Sequence, residues 1–279
     1  MIEMENKTPL ISVLMPAYNA EKYIGIAIES ILSQAFKDFE LIIIDDCSKD
    51  SSYLIAEKYF KEDDRIVLLK NCENLKLSLT LNRGIKIARG KYIARMDADD
   101  FSYSDRLEKQ YNFLEMNPGV GIVGGTMEVC DSKLNFKAYR RYNLDDENIR
   151  KNIFKYSPFS HPLVMIRKEI FDEIGLYDTA TNPAEDYDLW LRIGKCCKFA
   201  NLEDVLLKYR IVEKSMTTGS TKKMELATIK LRNKYAKDYN MSRFDRVYNF
   251  LQLLSVYILP DKINAKLKIW LFNLTRDKK

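Results

Sequence analysis

The sequence predicts an α/β protein: a mostly parallel central sheet flanked by helices, with a helical extension at the C-terminal end. Three observations carry this. Compact apolar runs rich in β-branched residues alternate with amphipathic segments of roughly ten to fifteen residues, the rhythm of βαβ crossovers. Each early run stops at a polar cluster, as strands do where a parallel sheet binds its ligands. The length of 279 residues, 46% of them hydrophobic and 30% charged, suits one large core plus an appendage.

The elements follow in order. Residues 10–15 (LISVLM) form an apolar run that ends at Pro16, as a buried strand does. Tyr23, Ile24, Ala27, Ile28, Ile31 and Leu32 then mark one helical face. Residues 39–44 (FELIII) are a second strand, stopping at Asp45-Asp46, and residues 66–69 (IVLL) are a third. Leu77, Leu81, Ile85 and Ala88 define a helix that Gly90 is expected to close. Residues 92–96 (YIARM) are a fourth strand, which runs into Asp97-Ala98-Asp99-Asp100. A helix from Glu185 carries Leu189, Trp190 and Ile193, with Trp190 read as core, and residues 205–209 (VLLKY) read as a strand. Residues 131–143 show no pattern and read as a loop.

Residues 212–221 are polar, contain Thr217-Thr218-Gly219-Ser220, and read as a linker. Beyond them Phe244, Val247, Leu251, Leu254 and Ile258 mark one helix, broken at Pro260. Ile263, Leu267, Trp270, Leu271 and Leu274 mark another, interleaved with Lys262, Lys266 and Lys268. The division expected is an α/β domain over residues 1–215 and a basic amphipathic helical tail over residues 216–279.

Composition narrows the chemistry. Five cysteines form an odd set without a C-x-x-C pair, which excludes a zinc site or a disulfide framework by spacing and fits a reducing compartment. The single histidine, His161, excludes a His-rich metal centre, so any metal is a hard cation on carboxylate oxygens. The first residues are acidic and no long apolar run follows, so a cytoplasmic location is expected. The net charge of +5 is unevenly spread: residues 216–279 hold 14 Lys/Arg against 5 Asp/Glu, and the preceding residues hold 31 against 35. Such a tail either docks onto an anionic membrane surface or packs on the catalytic domain with its basic face in water. Nucleic acid is not an expected partner, because no recognised binding motif accompanies the charge.

An isolated D-x-D usually lies in a turn. Here Asp97 and Asp99 directly follow a buried strand, where two carboxylates can share a divalent cation and, through it, a diphosphate. The motifs then become specific. Residues 10–19 (LISVLMPAYN), 39–48 (FELIIIDDCS), 90–100 (GKYIARMDADD) and 184–192 (AEDYDLWLR) resemble family-2 glycosyltransferases of the GT-A fold in order and spacing. His161-Pro162-Leu163-Val164-Met165 and Leu207-Lys208-Tyr209-Arg210 resemble them too. The resemblance covers roughly residues 8–212.

The resemblance implies a GT-A domain with a Rossmann-like nucleotide-binding half. It further implies transfer, with inversion, of a hexose or N-acetylhexosamine from a nucleotide sugar, UDP first, to a glycan or lipid-linked acceptor in surface polysaccharide biosynthesis. Pro16, Ala17 and Tyr18 match the loop that packs on the nucleotide base, and Asp46 matches the carboxylate that hydrogen-bonds that base. Asp45 is a second candidate, or a helix N-cap. Asp99 matches the ligand of Mn²⁺ or Mg²⁺, and Asp97 helps hold the ribose or the metal. Asp186 matches the catalytic base. The reaction needs these groups: a carboxylate to take the proton of a poorly nucleophilic hydroxyl, and a cation to offset charge on the departing diphosphate.

Some assignments stay open. Glu185 and Asp188 either face solvent or contact acceptor. His161 fits a structural hydrogen bond better than catalysis. Arg95 pairs either with the acidic motif or with phosphate. Many family members carry a glycine where residues 74–78 read Asn-Leu-Lys-Leu-Ser, and Lys76 there either contacts phosphate or faces solvent. Two rivals are weighed. A sugar-phosphate nucleotidyltransferase needs a glycine-rich loop after the first strand, which residues 15–19 (MPAYN) lack. A non-catalytic sugar-binding module has no need of both Asp99 and Asp186.

Overall fold

A computed structural model describes residues 8–211 and 221–258. The first half runs β1 (Ile11–Ala17), α1 (Ile24–Leu32), β2 (Phe39–Asp45), α2 (Ser52–Glu62), β3 (Ile66–Lys70), α3 (Lys76–Ile87) and β4 (Tyr92–Arg95). Then follow β5 (Phe101–Ser102), α4 (Arg106–Met116), β6 (Val120–Cys130), β7 (Phe136–Arg140), α5 (Asp146–Asn152), β8 (Met165–Arg167), α6 (Ile170–Ile174), α7 (Glu185–Ile193) and β9 (Lys198–Arg210). Two tail helices complete the described chain, α8 (Thr221–Lys234) and α9 (Arg243–Ile258).

One sheet organises everything, in the order β3-β2-β1-β4-β8-β6-β9-β5, with β7 paired to β6. The first four strands are parallel, as their continuous apolar runs require when both faces are covered. Alternate residues of one strand feed two cores. Ile11, Val13 and Met15 pack with α1, α2 and α4, whereas Leu14 packs with Leu81 and Ile85 of α3 and with the face that carries α7. Beyond β4 the pairing becomes mixed: β8 is antiparallel to both β4 and β6, while β9 runs parallel to β6. Residues 131–143, read as a loop, contain β7, all five of whose residues are exposed.

Gly90 does not close α3. The helix ends at Ile87 with Ala88 as its cap. Glycine is required because a Cβ there would lie 2.5 Å from the backbone nitrogen of Ser12 and 2.7 Å from the carbonyl carbon of Ile11. Beside it Ser12 Oγ donates to the buried carboxylate of Glu40 (2.6 Å), which also accepts the Arg89 amide (2.7 Å) and Nε (2.8 Å). This network ties together the starts of β1, β2 and β4.

The tail packs on the sheet-bearing part of the chain through α8 and the residues just after it. Leu231, Tyr235 and Ala236 enter the core that holds Trp190, itself fully buried as the sequence predicts. Asp188 is not a solvent-facing residue: it is fully buried and accepts from Arg192 Nε (2.8 Å), Tyr235 hydroxyl (2.9 Å) and Lys234 Nζ (3.2 Å). Helix α9 pairs with α8 through Asn249 to Asn233 (2.9 Å) and Arg232 to Gln252 (2.6 Å). The helix read over Ile263 to Leu274, and residues 212–220 of the linker, lie outside the described residues. No described helix is long and apolar enough to cross a membrane.

Asp188→Ala leaves Tyr235 and two cations without their buried acceptor. We expect it to lower unfolding stability by about 2–4 kcal/mol in urea titrations of the full chain, and an unchanged midpoint would refute the clamp.

Candidate active site

The parallel strands end together. Ala17 of β1 lies beside Asp45 of β2, and Leu14 beside Arg95 of β4, so the residues that follow share one edge of the sheet. Pro16 and Ala17 belong to β1, and Tyr18 just beyond is 48% exposed at this edge. Asn19 turns the chain at φ 51°, donates its amide to Ser48 Oγ (3.0 Å) and accepts the Lys49 amide (2.8 Å). The loops after β1 and β2 are thereby stitched together.

Asp46 is buried and accepts from Asn71 Nδ2 (2.7 Å), the Leu75 amide (2.8 Å) and the Lys76 amide (2.9 Å). Lys76 takes φ 68°, the left-handed conformation a glycine adopts without cost, and the Asp46 carboxylate holds it there. Asp45 does not cap α2. It accepts the Ser48 amide (3.1 Å) in a turn, and Asp50 serves the helix start by accepting the Ser52 amide (3.0 Å). The other oxygen of Asp45 is buried with no partner among the described residues.

After β4, carboxylate oxygens of Asp97, Asp99 and Asp100 lie within 4.8 Å of one another. Burial, and then the charge of Asp97, push the Asp99 carboxyl up to about 6. The same causes, with Asp99 added, push the fully buried Asp100 well above the usual carboxylate range. Asp100 Oδ2 has no partner among the described residues. Three convergent oxygen donors carrying excess negative charge fit a hard divalent cation of the Mg²⁺ or Mn²⁺ kind.

Strand β9 shapes this loop. The Arg210 amide donates to Asp100 Oδ1 (2.8 Å) and its Nε to the Asp99 carbonyl (2.6 Å), while β5 pairs with β9 directly beside it. Arg210 also stacks 4.4 Å from the Tyr23 ring centre. Beneath, burial lowers the guanidinium of Arg106 to about 9, and its Nη2 donates to the Arg95 carbonyl (2.6 Å).

Arg95 answers the question left open by its position: it pairs with the acidic motif, Nη2 to Asp97 at 2.5 Å. Its Nε and Nη1 are buried with no partner among the described residues. Its charge reaches the other acidic group as well. Burial raises the carboxyls of Glu185 and Asp186, and Arg95 pulls both back down, as it does for Asp99 and Asp100. The structure therefore brings Asp97, Asp99 and Asp100 together, with the start of α7 within electrostatic reach of the same guanidinium. Glu185 is buried rather than solvent-facing. Asp186 accepts its neighbour Tyr187's amide (2.7 Å).

His161 makes the hydrogen bond expected of it, Nε2 with the Tyr177 hydroxyl at 2.8 Å, and its ring meets Trp190 edge-on. Burial, then Arg95, keep its pKa well below the ordinary imidazole range, so it is neutral. Asp100, Arg106, Tyr177 and Arg210 were not singled out from the sequence. Asp100 was visible inside the acidic motif; Arg210 closes the Leu207-Lys208-Tyr209-Arg210 segment but gains meaning only through pairing across 110 residues.

The profile of glycosyl transferase family 2 matches residues 12–175. An uncharacterized glycosyltransferase of Methanocaldococcus jannaschii is 35% identical over 94% of this chain and 95% of its own. The O-antigen biosynthesis glycosyltransferase WbnJ of Escherichia coli is 34% identical over 88% of this chain and 96% of its own. The chain belongs to glycosyl transferase family 2 and is a glycosyltransferase. Among solved structures, S. aureus TarS 1-349 in complex with UDP-GlcNAc superposes with a TM-score of 0.68 at 19% identity, over 81% of this chain and 66% of that one. The mannosyltransferase PcManGT of Pyrobaculum calidifontis, in complex with GDP-Man and Mn²⁺, gives 0.63 at 16% identity, over 98% and 82%. These share the GT-A fold.

The acidic loop predicts a pH signature. A carboxyl raised to about 6 on folding stabilises the folded chain at low pH, and that contribution is lost as pH rises through about 6. In chelator, the melting temperature should fall between pH 5 and 7, and millimolar Mn²⁺ at pH 7 should restore it. Asp99→Asn should flatten both responses in thermal melts; an identical response in that variant would place the titrating group elsewhere.

Proposed function

We propose that the chain transfers a hexose or N-acetylhexosamine, with inversion, from a UDP-sugar to a glycan or lipid-linked acceptor in surface polysaccharide biosynthesis. The observation that carries this is the convergence of the Asp97, Asp99 and Asp100 carboxylates at the end of β4. The relative that acts in O-antigen biosynthesis supports the pathway class, and the UDP-GlcNAc complex of TarS supports the donor class.

In this reading residues 1–215 are the catalytic domain. Pro16, Ala17 and Tyr18 pack on the nucleotide base. Asp46 fixes residues 71–76 with three accepted bonds and keeps one of roughly four acceptor sites for the base. Asp99 and Asp97, with Asp100 behind them, hold Mn²⁺ or Mg²⁺. Once bound, that cation offsets the negative charge that grows on the departing nucleoside diphosphate. Asp186 takes the proton of the acceptor hydroxyl, and its burial makes it a stronger base than an exposed aspartate. The Tyr187 amide and then the charge of Arg95 oppose that rise. The tail over residues 216–279 places the enzyme at the inner, cytoplasmic face of the cell membrane, where a lipid-linked acceptor resides.

Asp186→Asn should lower transfer about 10²–10⁴-fold while UDP and Mn²⁺ still bind, as read by product formation and calorimetry. Full activity in that variant would sink the base assignment. Asp99→Ala should instead abolish the difference in UDP affinity measured with and without chelator; a retained metal-dependent difference would move the cation site.

A further inference from the structure

Helix α9 leaves most of its apolar side chains exposed. Its flank against α8 is mixed: Asn249 and Gln252 hydrogen-bond to α8, Tyr248 lies under Arg232, and Val256 is buried. Its opposite face carries Phe244, Val247, Phe250, Leu251, Leu254 and Ile258, at 88%, 57%, 58%, 57%, 38% and 72% exposure among the described residues. Positions 244, 247, 251, 254 and 258 advance by three or four and so lie along one line of the helix. A contiguous apolar stripe of this length on an otherwise polar surface marks an interaction face.

Charge selects the occupant. Arg243 and Arg246, both exposed, stand at the N-terminal end of the stripe. At the other end Lys222 of α8 lies over the ring of Tyr257, at 5.0 Å, and Tyr257 itself is 66% exposed. The sequence beyond α9, residues 259–279, adds six Lys/Arg against two Asp/Glu. A second copy of the chain seated on this face would bring like charges together. An anionic lipid surface takes the apolar side chains into its acyl boundary and the cations to its headgroups.

We infer that the outward face of α9 docks onto an anionic lipid bilayer, lying in the plane of the surface. This deepens the membrane-face placement proposed above and rests on it only for the choice of leaflet. The docking face is coupled to catalysis by rigid packing: α9 pairs with α8, and α8 is pinned by Lys234 and Tyr235 to Asp188 of α7, two residues after Asp186. Docking would therefore set the orientation of the proposed base relative to acceptors held in the membrane.

The test uses the full chain in vesicle flotation, with phosphatidylcholine alone and with roughly one-third phosphatidylglycerol. Wild type should float with the anionic vesicles and much less with the neutral ones. F244S/V247S/L251S, all at exposed positions, should bind anionic vesicles at least about tenfold more weakly. R243S/R246S should lose about tenfold on anionic vesicles only, and salt should weaken wild-type binding. Circular dichroism reports folding; should the triple variant misfold, the arginine pair and the salt series still decide. Wild type that stays unbound, or variants that bind like wild type, overturn the inference. So does light scattering that shows a wild-type dimer which the triple variant converts to monomer, since the stripe would then meet a second copy. Protection of α9 from side-chain labelling by residues 259–279 in lipid-free protein overturns it as well. Donor turnover with a soluble acceptor is measured in parallel. Retained turnover with lost docking in wild type refutes only this inference, whereas docking without turnover refutes only the functional reading.

Discussion

A buried guanidinium, Arg95, is the charge around which the site is arranged. It pairs with Asp97, and its charge opposes the rise that burial imposes on the carboxyls of Asp99, Asp100, Glu185 and Asp186. Arg95 sits at the end of β4, where Arg106 grips its carbonyl from below, and it spends only one of its nitrogens on Asp97. Two donors on Arg95 and one acceptor on each of Asp100 and Glu185 are buried without a partner among the described residues. Buried groups left in that state are costly in a folded protein. In the proposed reaction a nucleoside diphosphate with its cation supplies both missing partners, so the same imbalance that burdens the free chain favours its loaded form.

The sheet edge carries a related cost. Asn19, Cys47 and Lys76 all take left-handed backbone conformations, and all lie where β1, β2 and the start of α3 meet. Each costs on the order of 1 kcal/mol; the Asn19 amide bonds to Ser48 and the Lys76 amide to Asp46. At Lys76, within positions 74–78, a carboxylate thus holds a conformation that a glycine adopts without cost.

Legibility in the sequence followed from burial. The first four strands were readable because a parallel strand covered on both faces is a continuous apolar run. The later strands were not. In β6 the run is broken by Gly121, Gly124 and Gly125, present because β9 and its neighbours pass too close for a side chain, and β7 is exposed throughout. Gly90 was read as a helix stop when its reason is contact with β1. Asp188 fits a solvent-facing pattern locally, and the partners that bury it lie 46 and 47 residues further on. In α9 periodicity found the apolar face correctly but carries no information on its direction, which only the partner helix fixes. At the site, Asp97 and Asp99 were legible as a motif, while Arg210, which shapes their loop, depends on a strand pairing that local patterns do not encode.

The anchoring of α8 changes how the tail is to be regarded. An appendage joined by a polar linker invites amputation to obtain a simpler enzyme. Yet cutting the chain at Glu213 would uncover Leu231's and Tyr235's seats in the shared core and leave a sealed-in aspartate without two of its three partners. Helix α8 and the turn after it are a buttress for α7: a shortened protein would lose the brace on the helix that carries its proposed base, so dead truncations would say nothing about lipid.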